Sequence, residues 1–327
     1  MRRALTILTG LALLSMLALA GSALCGSTGC MLPDLSPGAD PVIRLLRVPR
    51  VLAAFAVGGL LAVAGALMQV LLRNPLADPY VLGLSGGAAA GALIAMVGAI
   101  HLGIAQDGAA GLGAAIGSGT AMLLLFALVR QPLRHLPSAP FVFGHRLILT
   151  GVMIASGFGA LITLVLSLAP DAQLRGMIFW LLGDLEGNRY ILPAWLALLA
   201  VVGWSVFKGH SLNMLARGEN FAQLLGVPVV RLRLTTLCVA SVATAVAVTV
   251  AGTIGFVGLV VPHAIRLVFG NDQRILLPAS ALVGGTVLTL ADLMARTVVA
   301  PTQLPVGVIT AIVGVPVFLW LLSRSRA

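Results

Sequence analysis

Long apolar runs separated by short polar stretches fill this chain. Each run approaches the roughly 20 residues that an α-helix needs to cross the hydrocarbon layer of a bilayer. The alternating segments of about ten residues that are typical of a membrane β-barrel are absent from the pattern. We therefore predict an all-α, polytopic membrane helix bundle that forms a single transmembrane domain over 1–327. Its predicted spans are 4–25, 51–72, 81–100, 109–129, 147–169, 191–207, 232–251, 256–269, 277–298 and 305–323, ten in all, of which the eighth is short and is expected to be partly buried among its neighbours.

Composition agrees with this prediction. Hydrophobic residues make up 59% of the 327 residues and charged residues only 9%, whereas soluble domains carry roughly 25% charged residues. The 38 glycines favour close helix packing through small side chains. The segments between spans are too short to hold a separate soluble domain, so function is expected to lie in the helices and short loops.

Basic residues give the orientation. With the N-terminus inside, only six of the 20 lysines and arginines fall outside, as the positive-inside rule requires. Both termini are therefore predicted to be cytoplasmic. The net charge of +10 is spread over short loops, which indicates contact with membrane lipid and no nucleic-acid partner. The outer six are Arg44, Arg47, Arg50, Arg175, Arg189 and Arg296.

The first apolar run has two interpretations, a cleaved secretory signal or a first span. The run is longer than a usual signal core, and Leu24 is a poor cleavage residue before Cys25, so a span is favoured. Cys25 and Cys30 lie near an outer loop, where pairing stays open. Cys238 lies in an apolar run and is expected to be a small buried side chain.

Several kinds of chemistry are excluded. Lys208, the only lysine, follows Phe207 instead of the glycine of a phosphate-binding loop, so the chain cannot hydrolyse ATP by that mechanism. The sequence contains no HExxH zinc motif, and His145 and His263 have no partners at metal-ligand spacing. We predict neither a catalytic residue nor a metal site.

Asp292 is the one carboxylate well inside a predicted span. A lone acid at the bilayer centre costs about 2.5–3.5 kcal/mol. Arg296 follows one helical turn later, which favours an ion pair between the two. The alternative is a coupling-ion site in an autonomous secondary carrier, and a non-transporting scaffold for a cytoplasmic enzyme is a further alternative.

The segment 211–226 has helical amphipathic spacing on the predicted inner side, ending at Gly226 and Pro228. Helices that lie on lipid usually carry several basic residues on the polar face, but this one has a single arginine and a glutamate. That balance favours a cytoplasmic protein partner. On a helical wheel one side carries Leu212, Leu215, Phe221, Leu224 and Leu225, whereas Arg217, Glu219, Asn220 and Gln223 lie elsewhere.

These residues carry a family resemblance. LNMLARGE at 212–219, with LGVP at 225–228, resembles the coupling helix of the permeases of type II ABC importers, the FecCD/BtuC-like family that moves ferric siderophores, haem and vitamin B12. Further matching segments follow in order along nearly the whole chain. They are RVPR at 47–50, RNPLADP at 73–79 with LG at 82–83, GFVGLVVPH at 255–263, LPVG at 304–307 and GVPVF at 314–318.

The resemblance implies a transport subunit, not an enzyme, in a bacterial inner membrane. It would import an iron chelate (ferric siderophore or haem) or cobalamin from periplasm to cytoplasm by alternating access. The implied partners are a second copy of the chain, a cytoplasmic ABC ATPase dimer and a periplasmic substrate-binding protein. The chain itself is expected to bind no cofactor, since ATP and Mg would sit on the ATPase.

The resemblance also implies roles for individual residues. Asn74 and Leu76 would close a cytoplasmic gate, although Pro75 and Pro79 also fit a plain tight turn. No residue is assigned to the second gate segment, 136–144. Arg47, Arg50 and Arg296 would dock acidic residues of the binding protein, with snorkelling to headgroups as the alternative. Coupling to the ATPase is assigned to Leu212, Met214, Leu215, Arg217, Gly218, Glu219, Leu225 and Gly226.

Overall fold

The computed structural model of the chain describes residues 2–27, 29–30, 42–135, 140–185 and 190–324. Within these ranges it contains twelve α-helices and one two-stranded hairpin, β1 (Cys25–Gly26) and β2 (Gly29–Cys30). A π-helical turn, Ile43–Arg47, leads into the second helix, and a 3-10 turn, Pro79–Leu82, precedes the third. The helices are α1 (Arg2–Leu24), α2 (Val48–Leu71), α3 (Leu84–His101), α4 (Gln106–His135), α5 (Pro140–Leu168), α6 (Asp171–Leu181), α7 (Ile191–Arg217), α8 (Glu219–Leu224), α9 (Val229–Ala251), α10 (Val257–Phe269), α11 (Gln273–Thr297) and α12 (Val306–Arg324).

The all-α membrane bundle is confirmed. Among the described residues, nine helices are long and apolar enough to cross a membrane. The predicted eighth span corresponds to α10, whose 13 residues reach only about 20 Å, short of the roughly 30 Å hydrocarbon layer. The predicted sixth span ends too early at 207, since α7 continues to Arg217. The short helix α6 was not predicted.

Helix α2 forms the centre of the bundle. Inside the described chain, 94% of its most apolar 18-residue window is buried, compared with 6% for the corresponding windows of α1 and of α5. Helices α7, α9, α10 and α11 pack around it. Because its sequence is largely alanine, glycine, valine and leucine, neighbouring helices can approach its axis from several sides.

Glycines make several of these close approaches possible. A Cβ atom at Gly65 of α2 would overlap the carbonyl oxygen of Gly258 of α10, so neither backbone leaves room for a side chain there. This small-residue contact is the packing mode that membrane helices use in place of large apolar knobs. The same relation holds for Gly58 with Gly284, Gly87 with Gly117, and Gly91 with Gly113.

The hairpin after α1 settles the open question about the first two cysteines. Cys25 and Cys30 form a disulfide that joins β1 to β2. The expectation for Cys238 was wrong, because this free cysteine of α9 is exposed on the surface of the chain. Its place on a helix that is only partly covered by neighbours explains the difference.

We predict that Gly65→Ala destabilises the protein by about 3 kcal/mol, the upper part of the range for overpacked sites. The added methyl group meets the backbone of α10, which cannot rotate away as a side chain would. Thermal melting of the purified protein in detergent measures the effect. The matched control is Gly203→Ala in α7, where a Cβ atom has nothing within 4 Å; equal melting temperatures for the two variants would contradict the prediction.

Candidate functional site

The predicted coupling helix is two helices instead of one. Residues up to Arg217 form the end of α7, and α8 begins again at Glu219. Gly218 lies between them with φ 134° and ψ 150°, a backbone conformation outside the helical region. Glycine adopts such angles without the steric cost that other residues meet. The chain therefore changes direction in the middle of the segment 211–226.

Three of the predicted coupling residues are buried in this arrangement. Leu212 is 0% exposed and Leu215 is 1% exposed, so both belong to the core. Glu219 is 6% exposed and forms an ion pair with Arg233 at the start of α9. Their assignment to coupling with the ATPase stays a prediction; in this structure the three side chains are buried and offer no contact surface of their own. They fix the position of the segment instead.

The exposed part of the segment is more apolar than predicted. Arg217 and Gly226 are on the surface as expected, and Leu225 is 52% exposed. Phe221 at 42% and Leu224 at 86% were placed on the same side of the wheel as Leu212 and Leu215, but both project outward whereas those two leucines are buried. A helical wheel drawn through 211–226 assumes one continuous helix. The sequence signal that would have indicated two separate helices is Gly218 followed by an acidic residue, Glu219, in the first turn of α8.

A cleft of about 460 Å³ opens beside this surface. Asn213 joins its two walls, since its amide nitrogen donates to Asp272 Oδ1 at 2.8 Å and its amide oxygen accepts from the Gln273 backbone N–H at 2.7 Å. The C-terminal end of α7 is thereby fixed to the turn between α10 and α11. Predicted residues Met214, Arg217 and Leu225 line the cleft together with His210, Asn213, Ala216, Phe221, Asn271, Asp272 and Arg274.

Asp272, in the turn between α10 and α11, is held in its ionised form. The Arg274 side chain is the main cause that lowers the pKa of Asp272 to about 2, and the bond from Asn213 adds to the effect. Asp272 also caps α11 by accepting from the Arg274 backbone N–H. Because the pKa of Asp272 is depressed, its contribution to the turn is present at neutral pH and is lost only as the pH falls through about 2.

The predicted gate residues Asn74 and Leu76 lie in the connection from α2 to α3. Both are exposed, Leu76 to 37%. The Asn74 side-chain oxygen accepts from the Leu76 backbone N–H at 2.9 Å, which closes a local turn. Asp78 then caps the 3-10 turn by accepting from Tyr80 N–H at 2.7 Å, and burial raises the pKa of the Asp78 carboxyl.

The predicted outer arginines are brought together, but they are not on the surface. Arg47 is 5% exposed, Arg296 is 4% exposed and Asp292 is 0% exposed. Asp292 binds Arg296 Nε and Arg50 Nε, both at 2.9 Å, so the expected Asp292–Arg296 ion pair forms and gains a second arginine. Arg50 also donates to Gln303 Oε1 at 2.8 Å. We call Arg47, Arg50 and Arg296, together with Asp292, the outer arginine cluster.

The hairpin β1–β2 covers the outer arginine cluster. Arg47 donates to the carbonyl oxygens of Leu24 at 2.6 Å and Gly29 at 3.2 Å. Arg296 donates to Ser22 Oγ at 2.9 Å and to the Cys25 carbonyl oxygen at 3.4 Å. The guanidinium groups are therefore used to hold the hairpin on α2 and α11. Their docking of the binding protein stays a prediction, although in this structure their donors already bind Asp292, Gln303 and carbonyl oxygens of α1 and the hairpin.

We predict that Asp292→Asn lowers the stability of the chain by about 3–5 kcal/mol, the usual cost of removing one partner from a buried ion pair. The substitution keeps the shape of the side chain and removes the charge that offsets Arg50 and Arg296. The melting temperature in detergent reports the loss. Asp171→Asn is the control, since Asp171 is exposed in the first turn of α6, and a shift no larger than in this control would refute the role of Asp292.

Known proteins resemble this chain over nearly its whole length. Residues 5–324 match the FecCD transport family. The vitamin B12 import system permease protein BtuC of Shigella boydii is 38% identical over 321 residues, which cover 97% of this chain and 94% of that protein. The uncharacterized ABC transporter permease protein YvrB of Bacillus subtilis is 40% identical over 290 residues, covering 87% of this chain and 79% of that protein.

The fold is shared as well. A solved structure of a protein assigned as a metal-chelate type ABC transporter, in an inward-facing conformation, matches with a TM-score of 0.85 and 29% identity, covering 98% of this chain and 99% of that one. The resemblance drawn from the sequence segments is confirmed by these matches. The chain belongs to the FecCD transport family, as a permease subunit of a type II ABC importer whose ATPase is a separate subunit.

Proposed function

We propose that this permease imports a large chelate, either an iron chelate (ferric siderophore or haem) or cobalamin, from periplasm to cytoplasm by alternating access. The vitamin B12 permeases among its relatives and the metal-chelate assignment of the matching structure support this cargo class. The observation that carries the proposal is the exposed apolar surface of α8. An importer whose ATP site lies elsewhere needs such a surface to receive its energy.

The proposed coupling surface consists of Arg217, Phe221, Leu224 and Leu225. Exposed aromatic and aliphatic side chains around a short helix are typical of a protein interface. Glu219 and Arg233 stabilise the surface from behind, and Asn213 ties it to the turn before α11. A cytoplasmic ABC ATPase dimer, carrying ATP and Mg, is the proposed partner. In this proposal the chain itself binds neither ATP nor Mg.

The exposed surface of α5 favours a second copy of the chain as a further partner. It is little covered by its own protomer, yet it exposes small and hydroxyl-bearing residues. Helices α5 and α1 both also expose large apolar side chains, such as Leu168 of α5 at 76% and Leu17 of α1 at 72%, as expected against lipid. We infer that α5 faces the partner permease and the transport pathway. Its exposed small and hydroxyl-bearing residues are Ser156, Gly157, Ala160, Thr163 and Ser167.

The disulfide supports the proposed orientation. Disulfides persist in oxidising compartments such as the periplasm, so the hairpin Cys25–Cys30 belongs on the outer side. The N-terminus, one span earlier, is then cytoplasmic, in agreement with the distribution of basic residues. A periplasmic substrate-binding protein would deliver cargo to this outer face. Since the hairpin covers the outer arginine cluster, the hairpin is the surface that such a partner meets first.

A secondary carrier is the weaker alternative. Its candidate ion site, Asp292, is fully buried and already paired with two arginines. Proteoliposomes separate the two functions. The importer requires the co-purifying ATPase and the binding protein, and its uptake stops with vanadate. Accumulation by the chain alone, abolished by an uncoupler and indifferent to vanadate, would overturn the proposal in favour of the carrier.

We predict that Leu224→Ala weakens binding of the ATPase by about tenfold, equivalent to about 1.4 kcal/mol. Leu224 is the most exposed residue of the apolar surface, so its truncation removes partner contacts without opening a cavity in the permease. Affinity is measured between the detergent-solubilised permease and the isolated ATPase. Leu102→Ala is the control. Leu102 is 74% exposed and follows the last residue of α3, outside the proposed coupling surface. Unchanged affinity for Leu224→Ala would place the interface elsewhere.

A further inference from the structure

The connection from α2 to α3 does not simply turn at the membrane surface. It leaves α2 at Arg73, which has a left-handed φ of 50°, and passes through Asn74 and Leu76 on the inner face. It then packs against the middle of α5, where a Cβ atom at Gly151 would overlap the carbonyl oxygen of Val81. Gly151 lies eleven residues after the start of α5, about 16 Å along the helix axis. The 3-10 turn therefore enters the bundle.

Tyr80 carries this connection to a second interrupted segment. Residues 252–256 between α9 and α10 are not helical, and Gly252 and Phe256 both have left-handed φ angles, 67° and 70°. The Tyr80 hydroxyl donates to the Ile254 carbonyl oxygen at 2.8 Å and accepts from the Ile254 backbone N–H at 2.8 Å. One side chain thus satisfies both backbone groups of a residue that is 1% exposed.

Such satisfaction is required at this depth. Gly258 of α10 touches Gly65 of α2, six residues before the last residue of α2, or about 9 Å along the α2 axis. Ile254 precedes α10, in the non-helical segment 252–256. Non-helical backbone is tolerated there only when protein groups bind its N–H and C=O. The contact therefore has a strong reason to persist while the surrounding helices move.

The far end of α10 is connected to the proposed coupling surface. Phe269 ends α10, and the turn that follows is held by Asn213 of α7 through Asp272 and Gln273. Helix α10 is thus attached at one end to the segment that would receive the ATPase and at the other to the loop that carries Asn74 and Leu76. Pro262 inside α10 does not interrupt the helix in this structure.

We propose that α10 transmits movement from the ATPase to the cytoplasmic gate, and that the Tyr80 hydroxyl is the positioning group that makes the gate loop follow α10. This inference rests on the proposed function, since it needs an ATPase at the coupling surface. It assigns Tyr80 a role separate from cargo binding. The aromatic ring packs against the core, whereas the hydroxyl provides the link to Ile254.

Tyr80→Phe isolates the hydroxyl because the ring is kept. The permease is purified with its ATPase in a Cys238→Ala background, which removes the free cysteine and leaves Cys25 and Cys30 in their disulfide. Leu76→Cys then reports the gate loop by its rate of reaction with a polar maleimide. The rate is compared in the nucleotide-free complex and in the complex trapped with ATP and vanadate. Tyr190→Phe, the only other tyrosine, is the matched control.

With Tyr80 present, we expect trapping to change the labelling rate of Leu76→Cys by about tenfold, an ordinary allosteric coupling. Tyr80→Phe is expected to reduce this change to about twofold or less. Because the variant leaves the Ile254 N–H and C=O without their partner, its melting temperature should fall below that of the Tyr190→Phe control, while ATP hydrolysis measured well below the melting temperature stays close to that control. Uptake per ATP hydrolysed should fall in parallel. A purely structural hydroxyl would lower melting temperature and hydrolysis together without a selective loss of the labelling change.

The outcomes that overturn the inference are distinct from failure of the proposed function. A full nucleotide-dependent change in labelling in the Tyr80→Phe complex would show that the gate loop follows α10 without the hydroxyl. Loss of hydrolysis, melting temperature and labelling change together would assign Tyr80 to stability alone. Absence of vanadate-sensitive hydrolysis and uptake in the unsubstituted complex would instead reject the importer itself.

Discussion

The need to satisfy every peptide group inside a medium without water shapes this permease. Long helices meet the requirement by themselves, and α2 does so at the centre of the bundle. Within the described residues, the chain nevertheless leaves the α-helical conformation inside the bundle at 79–83 and at 252–256. The first interruption supplies what the second needs, because the Tyr80 hydroxyl binds both backbone groups of Ile254. Non-helical backbone is therefore tolerated inside the bundle because a side chain from one interruption satisfies the backbone of the other.

Hydropathy was sufficient to predict the fold, because the length of an apolar run is set by the bilayer and not by tertiary contacts. The same reasoning could not place the helix break within 211–226. A glycine inside a helical pattern is tolerated at a modest cost, so Gly218 alone did not separate α7 from α8. The consequence was large: Glu219 is buried, whereas Phe221 and Leu224, which a single wheel grouped with the buried Leu212 and Leu215, are exposed.

Charged side chains were harder to place than apolar ones. Arg47, Arg50 and Arg296 were correctly predicted to lie together at one end of the bundle, and the Asp292–Arg296 pair followed from their spacing. Their burial was not predictable, because it depends on the hairpin Cys25–Cys30, whose pairing the sequence left open. Backbone carbonyl oxygens of the hairpin accept the arginine donors. Sequence spacing carries no information about such distant carbonyl acceptors.

The apolar surface of α8 has a consequence for biosynthesis. A permease released from the ribosome without its ATPase would present Phe221, Leu224 and Leu225 to the cytosol, where chaperones and membrane proteases recognise exposed apolar residues. Subunits made in excess of the ATPase would then be selectively degraded. The side chains that we propose as the contact with the ATPase would in this way keep the cellular amounts of the two subunits balanced.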